Sequence, residues 1–169
     1  LAATPGSDGL FLNHFDGQRF VPTRINLAAR YVGWGSAQLI LESRQGDWWV
    51  ATGAGLERYR GTGDASADLA RPPARVYTTR TGLRNDSIFR MFEDSRGGIW
   101  LSAGTLARID PVTGVVTNFG PENGYTIPWP QAFAEDQDGG IWIAGYGGGL
   151  AVFRDGLFTI SPQGTLLPE

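Results

Sequence analysis

The side chains of this 169-residue chain best suited to chemistry are aromatic and polar residues set in Gly- and Pro-rich stretches. Trp34 and Gln38 lie in one, Arg84, Asn85 and Asp86 in a second, Tyr125, Trp129 and Gln131 in a third, and Tyr146 in a fourth. Aromatic faces beside Arg, Asn, Asp and Gln suit a sugar or another polar small molecule, held by stacking and hydrogen bonds. Two plainer roles compete. Arg84-Asn85-Asp86 also fits ordinary turn chemistry, and Trp129, between Pro128 and Pro130, fits a plug that closes its loop against a neighbouring element.

Other chemistries find little support. His14 is the single histidine and there is no cysteine, which argues against His-based catalysis, a zinc centre and a disulfide framework. Asp136-Gln137-Asp138-Gly139-Gly140 begins like a calcium loop but lacks the later ligands, and Ser95-Arg96 replaces its acids elsewhere, so a hairpin turn is expected and no metal. Tyr146-Gly147-Gly148-Gly149 does not lead from a strand into a helix, as a nucleotide fingerprint would. No catalytic residue and no cofactor is expected. A net charge of −3 lacks the basic stripe that nucleic acid requires. No apolar run approaches the roughly 20 residues of a membrane span.

The elements that position these stretches are set by a repeat. Gly98-Ile99-Trp100-Leu101-Ser102 and Gly140-Ile141-Trp142-Ile143-Ala144 are one phrase, and Asp47-Trp48-Trp49-Val50-Ala51 is a third copy. A period of roughly 40–50 residues belongs to solenoids, propellers or arrays. Within each unit four short apolar runs alternate with turn signals: 87–94, 99–102, 106–109 and 115–119 in the best-defined one, 131–136, 141–144, 150–153 and 157–160 in the next. This pattern predicts an antiparallel meander of four strands, one blade of an all-β propeller. Trp49, Trp100 and Trp142 on the second strands then fill the wedges between blades as core residues.

The units divide the chain into the second half of a blade at 1–24, a blade at 38–80, a blade at 87–120, a blade at 131–160, and the start of a further link at 161–169. About three and a half blades of a larger ring result, with a Trp expected just before Leu1, as in an excerpt from a longer protein. The Ala-, Gly-, Pro- and Asp-rich insertion at 61–73 reads as an extended, solvent-exposed hairpin tip. His14 shares a repeat position with Arg58, Arg108 and Val152, and a site accepting all four reads as solvent-facing.

The phrase 92–101, with Thr105-Leu106 and Gly124-Tyr125 after it, resembles the two-component regulator propeller repeat; 133–143 with Gly149-Leu150, and 79–83 before Asn85, do so too. Ser43 in place of the turn Asp, Asp47 in place of Gly98 or Gly140, and the insertion depart from it. The resemblance implies a seven-bladed ring and a non-catalytic sensor region on the periplasmic or extracellular side of a bacterial membrane protein. It further implies signalling domains of the same longer chain as partners, and leaves the intact protein open to homodimerisation.

In a propeller the fourth-to-first and second-to-third connections share one face, here 25–38, 81–87 and 124–131 with 52–55, 103–105 and 145–149. Those loops carry the candidates Trp34, Arg84, Asn85, Asp86, Tyr125, Trp129 and Tyr146, while Gln38 and Gln131 enter the innermost strands. A small-molecule or oligosaccharide ligand at the channel mouth is the expected partner. A lyase similar to streptogramin-inactivating propellers and a protein-interaction scaffold are the alternatives.

Overall fold

Each apolar run between two turn signals becomes one short strand, and each strand bonds to the next in sequence. The structure is a computed structural model that describes residues 2–6, 9–15, 17–25 and 40–161. A three-stranded sheet comes first, ordered β1 (Ala2–Gly6), β2 (Gly9–Phe15) and β3 (Phe20–Ile25). The second sheet runs β4 (Ile40–Glu42), β5 (Trp48–Thr52), β6 (Gly55–Tyr59), β7 (Arg75–Tyr77). The third runs β8 (Arg90–Glu93), β9 (Ile99–Ala103), β10 (Thr105–Ile109), β11 (Val116–Phe119). The fourth runs β12 (Pro130–Glu135), β13 (Ile141–Gly145), β14 (Leu150–Arg154), β15 (Leu157–Ser161). All pairings are antiparallel, and β8 lies beside both β4 and β12, so the first strands of the blades meet on the inside. This is an all-β partial propeller.

The core lies between blades rather than within them. Trp49, Leu56 and Tyr77 of the second sheet close against Met91, Ile99, Leu101 and Ile109 of the third. Trp100, Leu106 and Phe119 of the third sheet likewise meet Ile141, Ile143, Phe153 and Phe158 of the fourth. Trp100 stacks on Phe119 at 5.5 Å and receives Phe153 edge-on at 5.2 Å. Burying one such indole is worth roughly 4–6 kcal/mol. Trp142 has the same place in the fourth sheet but is only half-buried.

A carboxylate clasp ties each Trp to the turn before it. Asp94 accepts from the backbone N–H of Arg96 (3.1 Å) and Gly98 (2.7 Å), from Trp100 Nε1 (2.8 Å) and from Arg108 Nε (2.9 Å). Asp136 repeats this with Asp138, Gly140, Trp142 and Arg154. The two turn glycines have different reasons. Gly97 has φ +81°, which a tight turn needs. Gly98 has ordinary φ, but a Cβ there would lie 2.0 Å from the Arg108 guanidinium, which covers the turn.

That second reason explains how Asp47 can stand where Gly98 and Gly140 do. In the second sheet Ser43 is no acceptor for the Trp, and Asp47 takes over the arginine, binding Arg58 Nε at 2.8 Å and Nη2 at 2.5 Å. Trp49 Nε1 is left buried with no partner among the described residues. Leaving such a donor unpaired costs about 1–3 kcal/mol.

Two expectations are corrected here. The insertion at 61–73 is not an extended solvent-exposed tip: it holds a helix, α1 (Ala65–Leu69), whose Asp68 and Leu69 are buried. Asp64 caps α1 by accepting from Ala67 N, and Asp68 accepts from Trp48 Nε1 (3.3 Å), Thr62 N (2.8 Å) and Thr62 Oγ1 (2.6 Å). The insertion thus folds back as a cover for Trp48, the additional indole beside the repeat Trp49. Nor is the repeat position of Arg58 and Arg108 solvent-facing. Arg58 is 7% exposed and lies 5.1 Å from the centroid of the Trp49 ring. The backbone of His14 pairs with Val21 in the first sheet; its side chain is outside the described residues.

Candidate functional site

The loops that join blades meet the second-to-third turns at one end of the sheets, and the fourth blade shows how. Tyr146 N–H donates to Trp129 O at 2.9 Å, tying the 124–131 loop to the 145–149 turn. Gly145 permits this approach: a Cβ there would lie 2.3 Å from Ile127 Cγ2 and 2.7 Å from Pro128 O. Trp129 has φ +48°, an unfavourable conformation for an aromatic residue, between two prolines that narrow the backbone choices on either side. Its ring rests edge-on against Phe89 at 6.4 Å and 83°, yet it remains 50% exposed. Tyr146 beside it is 73% exposed. Two large aromatic side chains therefore stand in solvent on adjoining, tethered loops.

Polar groups below these loops fix the backbone. Arg90 donates from Nε to Gln131 O and from Nη1 to Phe89 O, both at 3.0 Å. Gln131 sits where the β12–β13 register shifts between Pro130 and Ala132, so it is a bulge residue at the entry to the innermost strand. Backbone strain at an exposed aromatic, held by surrounding contacts, is a pattern associated with binding sites.

The remaining candidates are placed differently. Asp86 accepts from Thr79 N (2.6 Å) and Thr79 Oγ1 (3.4 Å), and Asn85 accepts from Ser87 N (2.8 Å), so both shape the turn. Arg84 pairs with Glu122 across two successive inter-blade loops. The Glu122 carboxyl is held below the usual range by a backbone hydrogen bond and then by Arg84. Tyr125 is 3% exposed and packs on Phe158 at 5.1 Å, within the inter-blade core. Burial pushes its hydroxyl pKa up, and that hydroxyl has no partner among the described residues. Trp34 and Gln38 lie outside the described residues. No hydrogen bond or ring contact among the described residues joins Arg84, Asn85 or Asp86 to Trp129 or Tyr146.

Phe89 and Arg90 are the residues that sequence reasoning missed. Both belong to an apolar run read as a strand; Phe89 rests against the Trp129 ring and Arg90 holds the Gln131 carbonyl, contacts between segments far apart in sequence. No group of three or more His, Cys, Asp or Glu that could hold a metal occurs among the described residues. No described helix is long and apolar enough to cross a membrane.

Comparison with known proteins places this geometry. The chain is similar to the extracellular domain of BT3049 from B. thetaiotaomicron, named as a hybrid two component system, with 18% identity and a TM-score of 0.70 over 94% of this chain and 22% of that one. It is also similar to the extracellular domain of BT4673 from the same organism, named as a one component system, with 16% identity and a TM-score of 0.50 over 96% of this chain and 29% of that one. The chain thus spans less than a third of these structures, and at such identities the likeness is one of fold. No curated protein matches it significantly. Residues 82–105, which run from the loop before β8 into β10, match the family described as "Two component regulator propeller". This match to one repeat is set in a chain whose blades form part of a β-propeller.

Proposed function

We propose that this chain belongs to the non-catalytic, extracytoplasmic ligand-binding module of a bacterial two-component-type signalling protein. It takes a small polar ligand, such as a glycan fragment, at the loop-bearing mouth of the ring. The observation that carries this reading is the pair of exposed rings, Trp129 and Tyr146, tethered by one backbone hydrogen bond beside a two component regulator propeller repeat. Flat rings held at fixed positions stack on the apolar faces of sugars with little ordering cost, while the loop amides supply orientation.

The test is titration calorimetry of the intact protein against an oligosaccharide panel, with Trp129→Gly and Tyr146→Ala as variants. Glycine suits φ +48°, so Trp129→Gly removes the ring while keeping the bend. Saturable binding to wild type, weakened tenfold or more in either variant, is expected. Binding untouched by both variants, or a protein partner bound with no response to any saccharide, would overturn the reading. Turnover of a bound ligand would return the lyase alternative.

A further inference from the structure

The third and fourth blades enclose a crevice of about 580 Å³ at the end of the sheets opposite Trp129 and Tyr146. Its walls are the turns 94–98 and 154–156 and the outer parts of β10 and β14; Trp100, Phe119 and Phe153 form its floor. Three guanidinium groups converge on it from three different elements: Arg96 on a turn, Arg108 on β10 and Arg154 on β14.

A census of donors and acceptors decides what the crevice can hold. The carboxylates are spent. Asp94 and Asp136 each accept from two backbone amides, an indole and an arginine. Glu135 accepts from Ser95 N and Ser95 Oγ, both at 2.6 Å. The arginines are not spent. A guanidinium carries five N–H donors. Arg108 spends only Nε, on Asp94, and no hydrogen bond among the described residues uses the Arg96 guanidinium. Arg154 spends Nη2 on Asp136 at 2.6 Å, and Nη1 on Asp138 O at a long 3.4 Å, with the exposed Asp138 carboxylate 3.9 Å from the same Nη1. Asp155, exposed in the 154–156 turn, is the one carboxylate of the lining without a described partner, and it opposes an anion.

From this surplus of fork-shaped donors over an aromatic floor we infer a second binding site, for a small acidic molecule whose carboxylate or sulfate group bridges Arg96, Arg108 and Arg154. Planar guanidinium groups match such oxyanions with paired, charge-assisted hydrogen bonds. The site is separate from the Trp129–Tyr146 mouth and does not depend on its ligand.

Trp100 reports on the crevice directly, because its indole N–H bonds to Asp94 beneath the arginines. The experiment is an NMR titration of the intact protein, following the Trp100 indole proton, with benzoate, inorganic sulfate and neutral benzyl alcohol as probes. Saturable shifts with benzoate or sulfate and none with benzyl alcohol are expected. Response to benzoate alone identifies a carboxylate with an apolar body, and response to both identifies a general oxyanion site. Arg96→Ala, on an exposed turn, should weaken binding about tenfold or more, and Asp155→Asn should strengthen it. Trp129→Gly should leave it unchanged. No saturable shift with either anion, or equal affinity in wild type and Arg96→Ala, would overturn the inference.

Discussion

Replacing Asp94 by alanine removes one side chain that four donors share, and the structure shows what each donor loses. The Arg96 amide sits on the exposed part of the turn, where water can replace the carboxylate, whereas the Gly98 amide is buried. Trp100 is only 1% exposed, and its Nε1 lies beneath Asp94 and Arg108; one buried donor left unpaired costs about 1–3 kcal/mol. Arg108 loses its ion-pair partner while its side chain remains only 28% exposed, which adds a share of the 3–5 kcal/mol typical of a broken buried pair. A total loss of about 3–5 kcal/mol follows, a large fraction of the 5–15 kcal/mol that keeps a typical domain folded.

Asp136→Ala is the internal control, since it removes the same set of contacts in the neighbouring blade. The Asp136 side chain is 26% exposed against 5% for Asp94, and Trp142 is half-buried, so water can replace much of what is lost. Urea unfolding of the intact protein, compared at fixed slope, should place Asp94→Ala well below Asp136→Ala. Hydrogen exchange at the Trp100 indole should also accelerate in the former. Equal losses in the two variants, or a loss for Asp94→Ala under about 1 kcal/mol, would refute the view that burial decides the worth of the clasp.

The same carboxylates make the fold acid-sensitive. Burial pushes the Asp94 pKa up, but hydrogen bonds from Arg108, Trp100 and the Gly98 amide outweigh it and hold the group below the usual carboxylate range; Asp68 is likewise held down by Thr62, Trp48 and Arg71 against the opposing effect of burial. A lowered pKa means that the folded state binds the proton less readily. The stabilisation is therefore complete above the unfolded value of about 3.9 and is lost as pH falls from there through the folded values. Urea midpoints measured from neutral pH to about pH 2 should drop in that window, and drop less in Asp94→Asn. Asp68→Ala should release the insertion, because it strips Trp48, Thr62 and Arg71 of a shared acceptor; chymotrypsin should then cut after Leu69, buried in the folded insertion, faster than in wild type, and an unchanged rate would remove Asp68 from that role.

The blades were legible because a Trp phrase at a fixed period, bracketed by turn residues, leaves few other ways to arrange the chain. Periodicity reports which residues share an element, and the meander follows from it. The mouth was legible in part. Trp129 and Tyr146 are outstanding as large aromatics among glycines and prolines, whereas Tyr125 looks the same in sequence and is buried because Phe158, on the far strand of the next blade, closes over it. Asp86 was a candidate by type, and its partner Thr79 was visible only once the turn was folded. The insertion was misread because its composition is that of a loop, while its burial depends on two pairings, Asp68 with Trp48 and Leu69 with the sheet, that composition does not encode.

The arginines show most sharply why aligning repeat positions misled. Column by column, Arg58 and Arg108 face Val152, and a column of mixed chemistry suggests indifference. In the fold the fourth blade has not lost its arginine. Arg154, two residues further along the same face of β14, reaches back to Asp136 and does there what Arg108 does for Asp94. The second blade moves the acid instead: Ser43 replaces it, and Asp47, four residues later, meets Arg58. A long flexible side chain can satisfy one partner from either of two neighbouring positions, so the pairing persists while its columns change. What the blades have in common is a carboxylate and a guanidinium meeting over the hairpin turn, and that meeting leaves unspent donors in the crevice between the third blade and the fourth.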